Sequence, residues 1–149
     1  MTLILIASVG GSPQPIASAI AAKRPDVVLF LASPAFGAQP GSAGQVPDIL
    51  RLAQRPNQAH AVLEVPPDDP EAIFLALRER LRALCAEHPR ARLLFDYTGG
   101  TKSMTGALFQ AAIATPGADA QFMLGQRANL DKVTDGTERP TRIALDWLI

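Results

Sequence analysis

Cysteine is almost missing: Cys85 is the only one in 149 residues. A lone thiol excludes a disulfide framework and a thiolate zinc cluster. Cys85 falls inside a helical pattern, which predicts a buried place on a helix face rather than a catalytic role. Net charge is missing too, because fourteen basic residues cancel fourteen acidic ones. Without a global field no DNA partner is expected, and an anionic partner has to be recognised at a local site. No apolar run is long enough to span a membrane. Residues 1–6 are apolar but short, no basic segment precedes them, and turn-formers follow at 8–11. They read as a first strand, not a signal peptide, in a soluble, cytoplasmic protein. Repeats at solenoid periods and long low-complexity tracts are absent as well.

What is present is 48% hydrophobic content, enough for a single domain spanning 1–149 with one buried core. Buried strands are predicted at 3–7, 27–31, 61–65 and 91–97. Helices are predicted from Pro13 or Pro15 to Lys23, over 46–54, from Asp69-Pro70-Glu71 to about Glu87, and over 101–114. In the third of these Asp69 is the cap, and Ile73, Leu77, Leu81 and Leu84 share one face. Arg78, Arg80 and Arg82 form its solvated flank, because Glu79 and Glu87 interrupt the charge. Strands at 120–124 and 143–148 close the fold, with a polar loop at 126–140 between them. Four strand–helix alternations imply an α/β, Rossmann-like three-layer sandwich. Its sheet is mostly parallel, with about six strands and a C-terminal β-hairpin at one edge.

Ligands of such sheets sit beyond the carboxyl ends of the strands, at the topological switch point. Two segments there carry the chemistry. One is Ser8-Val9-Gly10-Gly11-Ser12-Pro13-Gln14-Pro15; the other is Asp96-Tyr97-Thr98-Gly99-Gly100-Thr101-Lys102-Ser103-Met104. Each is a Gly-Gly turn with hydroxyls that opens a helix, and adjacent central strands would bring the two together. Unpaired N–H groups and the helix dipole attract anions, and glycine lets a ligand approach the backbone. Lys102 adds a full charge, while Thr98, Thr101 and Ser103 add hydroxyls able to donate to phosphate oxygens. The pair reads as a phosphate or phosphodiester site.

Neither turn is a familiar nucleotide loop. The Walker pattern needs lysine directly after glycine, whereas Thr101 separates Gly100 from Lys102. The first turn lacks G-x-G-x-x-G, so a P-loop NTPase and an NAD dehydrogenase are both rejected, and no cofactor is expected. Plainer roles stand beside these. Gly99 and Gly100 also suit a tight strand-to-helix turn with Thr98 or Thr101 as cap. Asp96 reads equally as a ligand contact or as an acceptor for helix-start N–H groups. His60 and His88 read as structural, and Trp147 as core or interface. Arg127, Asn129 and Lys132 read as a solvated loop.

At these two segments the chain resembles a CARF domain, the Rossmann-like sensor module of type III CRISPR systems. The run Asp96 to Met104 is similar to that family's turn (N/D)-x-T-G-G-T-K-x-M, and Ser8 to Pro15 supports it. The resemblance implies a two-fold homodimer that binds a cyclic oligoadenylate, most often the tetra- or hexa-adenylate and here expected to be the tetra-adenylate, in a cleft across its axis. An isologous interface then presents every contact twice to a symmetric ring. By position, Thr98, Gly99, Gly100, Thr101, Lys102 and Ser103 hold phosphates and ribose, while Ser8, Gly10, Gly11, Ser12 and Gln14 line the floor or reach the adenines. The loop at 33–45 is a candidate lid.

Relatives usually carry a C-terminal effector such as a HEPN ribonuclease, yet residues 145–149 leave no linker. Either the domain stands free or it has been cut from an effector domain or partner. Arg82 and His88 have a ribonuclease spacing, but lie along one amphipathic helix. Two functions follow from the resemblance. One is a sensor whose ligand shifts a dimer conformation. The alternative is a metal-independent ring nuclease, in which the ligand's own 2′-hydroxyl attacks the adjacent phosphate to leave a 2′,3′-cyclic phosphate. There Lys102 stabilises the phosphorane and Ser12 or Thr101 orients the hydroxyl. No cluster of Asp, Glu and His is apparent that would hold a metal. A small-molecule phosphate binder is a third reading, tied to the absence of a dimer cleft.

Overall fold

Apolar residues alternate along each central strand between two faces, and that alternation sets the architecture. In the computed structural model, which describes residues 1–125 and 135–143, the strands are β1 (Leu3–Ser8), β2 (Val27–Ala32), β3 (His60–Glu64), β4 (Arg92–Asp96), β5 (Asp119–Leu124) and β6 (Arg139–Ile143). The helices are α1 (Gln14–Lys23), α2 (Val46–Leu52), α3 (Pro70–Glu87) and α4 (Lys102–Ala114), with a short 3₁₀ turn at Ser42–Gln45. Ile4, Ile6, Leu29, Leu31, Leu93 and Phe95 pack under α3 and α4. Leu5, Ala7, Val28, Phe30 and Leu94 pack on the other face, under α1 and α2. Both faces of the sheet are covered, as a parallel sheet requires.

Strand order is β3-β2-β1-β4-β5-β6. The first five strands run parallel, and β6 returns antiparallel to β5. The chain builds outward from β1 to β3, then crosses back to lay β4 against the other side of β1. The switch point therefore falls between β1 and β4. This is the expected mostly parallel sandwich with an antiparallel final pair.

Local signals behave as the sequence implies in the helices. The Asp69 carboxylate accepts from Ala72 N at 3.0 Å, and Ile73, Leu77, Leu81 and Leu84 are the buried residues of α3. Arg78, Arg80 and Arg82 are exposed. His60 rests edge-on against Phe30, and its Nδ1 lies 2.8 Å from the Gln58 carbonyl. His88 forms the C-terminal cap of α3. Among the described residues no helix is long and apolar enough to cross a membrane.

Two expectations are corrected. Cys85 is exposed, not buried. Leu84 already completes the apolar stripe, and the next residue lies about 100° further round the helix. The final strand lies at Arg139–Ile143, earlier than 143–148, and begins inside the expected polar loop at 126–140. An edge strand has one neighbour, so it tolerates Pro140 and exposed arginines that a central strand would reject. Arg142 is fixed there by Asp119 at 2.6 Å, which also holds Arg92 at 3.0 Å. Residues 144–148 of the expected strand lie outside the described residues, as do Arg127, Asn129, Lys132 and Trp147.

Candidate functional site

The register Ala7↔Asp96 brings β1 and β4 to an end side by side, and the two Gly-Gly turns emerge in contact. The Ser8 hydroxyl donates to the Gly99 carbonyl. A Cβ on Gly10 would stand 2.6 Å from Gly100 N, and one on Gly99 would stand 2.8 Å from the Ser8 carbonyl oxygen. The backbones touch with no room for a side chain between them. Gly100 also takes φ +94°, a left-handed conformation that disfavours any residue with a Cβ.

Behind the second turn a polar relay holds its shape. Asp96 is 1% exposed, and its Oδ1 accepts from Thr98 N at 2.9 Å and from the Thr98 hydroxyl at 2.6 Å. Its Oδ2 accepts from Gln121 Nε2 at 2.9 Å. Thr98 Oγ1 in turn accepts from Met123 N at 2.6 Å, which ties the turn to β5. At the mouth of α4, Thr101 accepts from Met104 N at 3.1 Å and donates to the Pro67 carbonyl. Thr101 is thus the helix cap.

This geometry divides the expected site residues into two groups. The hydroxyl protons of Ser8, Thr98 and Thr101 are spent inside the protein, on Gly99, Asp96 and Pro67. Thr98 is therefore a brace and not a phosphate donor. Thr101 keeps only a lone pair for any ligand hydroxyl. Asp96 lies beneath the turn with both oxygens occupied, accepting from Thr98 and Gln121 rather than from the helix-start N–H groups considered for it. The Gln14 amide donates to Ser18 Oγ at 3.2 Å, back along α1. By contrast, Lys102 and Ser12 are exposed and Ser103 is half-buried, and no described residue bonds their side chains. Gly10, Gly11, Gly100 and Thr101 line one side of an open cavity of about 610 Å³.

The segment at 33–45, marked in the sequence as a loop and candidate lid, lines the same cavity. Ser33, Ser42 and Gln45 contribute to it. Ser33 N donates to Ser42 Oγ at 2.9 Å and Ser42 N to Ser33 Oγ at 3.1 Å, a reciprocal clasp that closes the loop. The backbones of Phe36 and Gln39 pair within it, and Phe36 is 85% exposed. Gln45 Oε1 is buried and accepts no hydrogen bond. Gln121 and Pro67 gave no signal in the sequence, because each matters only through a partner distant along the chain, 25 and 34 residues away. Among the described residues no group of His, Cys, Asp and Glu is arranged to hold a metal ion.

Burial pushes the Asp96 carboxyl above its ordinary 3.8, while bonds from Thr98 and Gln121 pull it back. The folded chain then binds a proton there more readily than the unfolded chain. This contribution to stability is full below 3.8 and is lost as pH rises through the raised folded value. Asparagine carries no such titration. Urea unfolding at pH 4 and pH 7 should therefore show the destabilisation by Asp96→Asn shrinking as pH rises. Growth of that destabilisation with pH would show that the donated bonds outweigh burial.

No family model and no curated protein matches the sequence. Solved structures do match its fold. The chain is similar to Csm6 of Enterococcus italicus, bound to cyclic hexa-2′-fluoro-hexa-dAMP, with 17% identity and a TM-score of 0.66 over 86% of this chain and 34% of that one. It is similar to Can2 of Sulfobacillus thermosulfidooxidans, in complex with cyclic tetra-adenylate, with 15% identity and a TM-score of 0.60 over 80% of this chain and 31% of that one. A third likeness is VC1899 of Vibrio cholerae, with 13% identity and a TM-score of 0.62 over 80% and 30%. The chain spans about a third of the length of each. At such identities the likeness is one of fold, the mostly parallel Rossmann-like sandwich.

Proposed function

We propose that this chain is a CARF-type domain of type III CRISPR signalling that binds a cyclic oligoadenylate in the cytoplasm. The ligand lies across the axis of a homodimer, and its occupancy is passed on by a shift between subunits to an effector domain or partner. The observation that carries this reading is the backbone contact between the two Gly-Gly turns at the switch point. They present main chain, not side chains, beside Lys102, which pairs with no described residue. Such a surface suits phosphodiester groups, which need N–H donors, positive charge and close approach. Two structures of the same fold hold cyclic adenylate ligands, one of six units and one of four. We take the tetra-adenylate as the first ligand to test.

The second reading is a ring nuclease, supported by the Ser12 hydroxyl and the Lys102 ammonium having no hydrogen-bond or ion-pair partner among the described residues. In it, a ligand 2′-oxygen attacks the adjacent phosphorus, the bond to the 5′-oxygen breaks, and that oxygen leaves with a proton. Lys102 faces the charge developing on the phosphorane, and Ser12 orients the 2′-hydroxyl, with the Thr101 lone pair as the other orienting group. Among the described residues no side chain hydrogen-bonds Ser12 or Lys102 as a general base would, so the reaction lacks the roughly 10²–10⁴-fold that such a base supplies and runs slowly.

Titration with cyclic tetra- and hexa-adenylate in EDTA, with chromatography of the mixture, tests both. Tight binding with the ring intact is the expected result. Linear products ending in cyclic phosphate would establish the nuclease. Absence of binding to either ring would overturn the family reading.

A further inference from the structure

The end of the sheet opposite the glycine turns carries a cavity of its own, of about 320 Å³. The starts of β1, β4 and β5 meet the close of the antiparallel β6 there, and the last turn of α1 reaches the same end. Its charge is lopsided. Exposed Lys23, Arg92 and Arg142 border it, and Asp119 is the one carboxylate among its lining residues. Three cations against one anion leave two positive charges unmatched, in a chain whose net charge is zero. Asp119 accepts from Arg92 at 3.0 Å through one oxygen and from Arg142 at 2.6 Å through the other. Each guanidinium uses one nitrogen on that carboxylate, and the rest of its five-donor fork has no described partner. The Asp26 carboxylate at this end of the sheet accepts from Leu3 N at 2.7 Å. A clamp across β4, β5 and β6 accounts for the two arginines. It does not account for Lys23, which pairs with no described residue.

We infer that this cavity is a second anion site, separate from the glycine turns, and that it takes a small phosphate monoester. Guanidinium forks match phosphate oxygens in pairs, and an ammonium on a flexible stem adds a point charge. Asp119 holds both forks before any ligand arrives, which lowers the cost of ordering them on binding. The charge selects the class of anion. A phosphate monoester carries about −1.5 to −2 at neutral pH and so matches the two unmatched charges. A carboxylate, or one linkage of a phosphodiester, cancels only one. Leu3 and Leu94 add apolar lining for a carbon body, and the volume is at the small end for ligand pockets. The site lies at the other end of the strands from Gly10 and Gly100, so its occupancy does not depend on the cyclic oligoadenylate reading.

Phenyl phosphate, a compact monoester with an apolar body, is the probe. Titration followed by amide NMR should give saturable shifts at Leu3, Arg92, Leu94 and Asp119, with a millimolar or tighter Kd. Benzoate, with one charge on the same ring, should bind about tenfold more weakly. Lys23→Gln is the decisive variant, because a residue with no described partner contributes nothing to a clamp between strands. It should keep the wild-type melting temperature and weaken phenyl phosphate by about tenfold, the loss of one charged contact. Arg142→Gln should weaken it at least as much. Shifts that never saturate, or wild-type Kd values in both variants, overturn the site and leave Asp119 as a clamp alone. Shifts confined to 98–103 place the monoester at the glycine turns and overturn it equally. Benzoate binding as tightly as phenyl phosphate overturns the match to a dianion.

Discussion

Gly10→Ala should cost the protein about 2–3 kcal/mol and its ligand affinity together, in the range measured for forcing an extra methyl into a packed site. The new Cβ would meet Gly100 N at 2.6 Å and the Gly99 carbonyl carbon at 3.4 Å. Both are main-chain atoms, so no side chain can swing aside. Relief comes only from parting the β1 and β4 turns, which breaks the Ser8 to Gly99 bond and misplaces the N–H groups around Gly100. Gly11 is the internal control. A Cβ there meets nothing within 4 Å, so Gly11→Ala should leave the urea midpoint within about 0.5 kcal/mol of wild type. If Gly10→Ala matched Gly11→Ala in stability and in cyclic tetra-adenylate binding, the contact between turns would not be what builds the site. Gly99→Ala should resemble Gly10→Ala, because its Cβ meets the Ser8 carbonyl oxygen and Gly10 N from the other side.

The same pair of glycines shows how far the sequence alone reaches. That β1 and β4 are adjacent follows from strand–helix alternation, and that two Gly-Gly turns then converge follows from adjacency. The α3 stripe of Ile73, Leu77, Leu81 and Leu84 is legible for a similar reason: helical spacing is a local property. Which hydroxyls remain free is only partly local. Thr98 looks like a phosphate donor, but it gives its proton to Asp96, two residues back, and its oxygen is fixed by Met123 N of β5, 25 residues away. Thr101 looks the same until the chain after β3 delivers the Pro67 carbonyl, 34 residues away. Asp96 and Gln121 meet only because the parallel register pairs them. Polar edge strands mislead in the opposite direction: Arg139 and Pro140 read as loop because hydrophobicity, the main strand signal, is not needed at an edge. Half of the second motif therefore serves to brace the turn, and its ligand-facing chemistry contracts to main chain, Lys102 and Ser103.

That contraction makes Lys102→Ala the sharpest test of the binding claim. Lys102 is exposed and no described residue pairs with it, so its loss should move stability by no more than about 0.5 kcal/mol. Its effect on a ligand is doubled by symmetry. In a two-fold dimer around a symmetric ring, one substitution removes two ammonium–phosphate contacts. A hydrogen bond to a charged group contributes about 1.5–3 kcal/mol, so two such losses span about 10²–10⁴-fold in Kd. Exposure to solvent places the expectation at the low end, about 10²-fold at low salt, with the gap narrowing as salt screens the charge. Lys23 provides the comparison, since α1 is 10 residues long and carries it about 15 Å away, to the opposite end of the sheet. Lys23→Ala should bind like wild type. Cyclic tetra-adenylate titrations of both variants at low and high salt decide the matter. An unchanged Kd for Lys102→Ala would remove the charge from the site. A loss of only about tenfold, with two ligands bound per dimer, would show each subunit holding its own nucleotide and no ring spanning the axis.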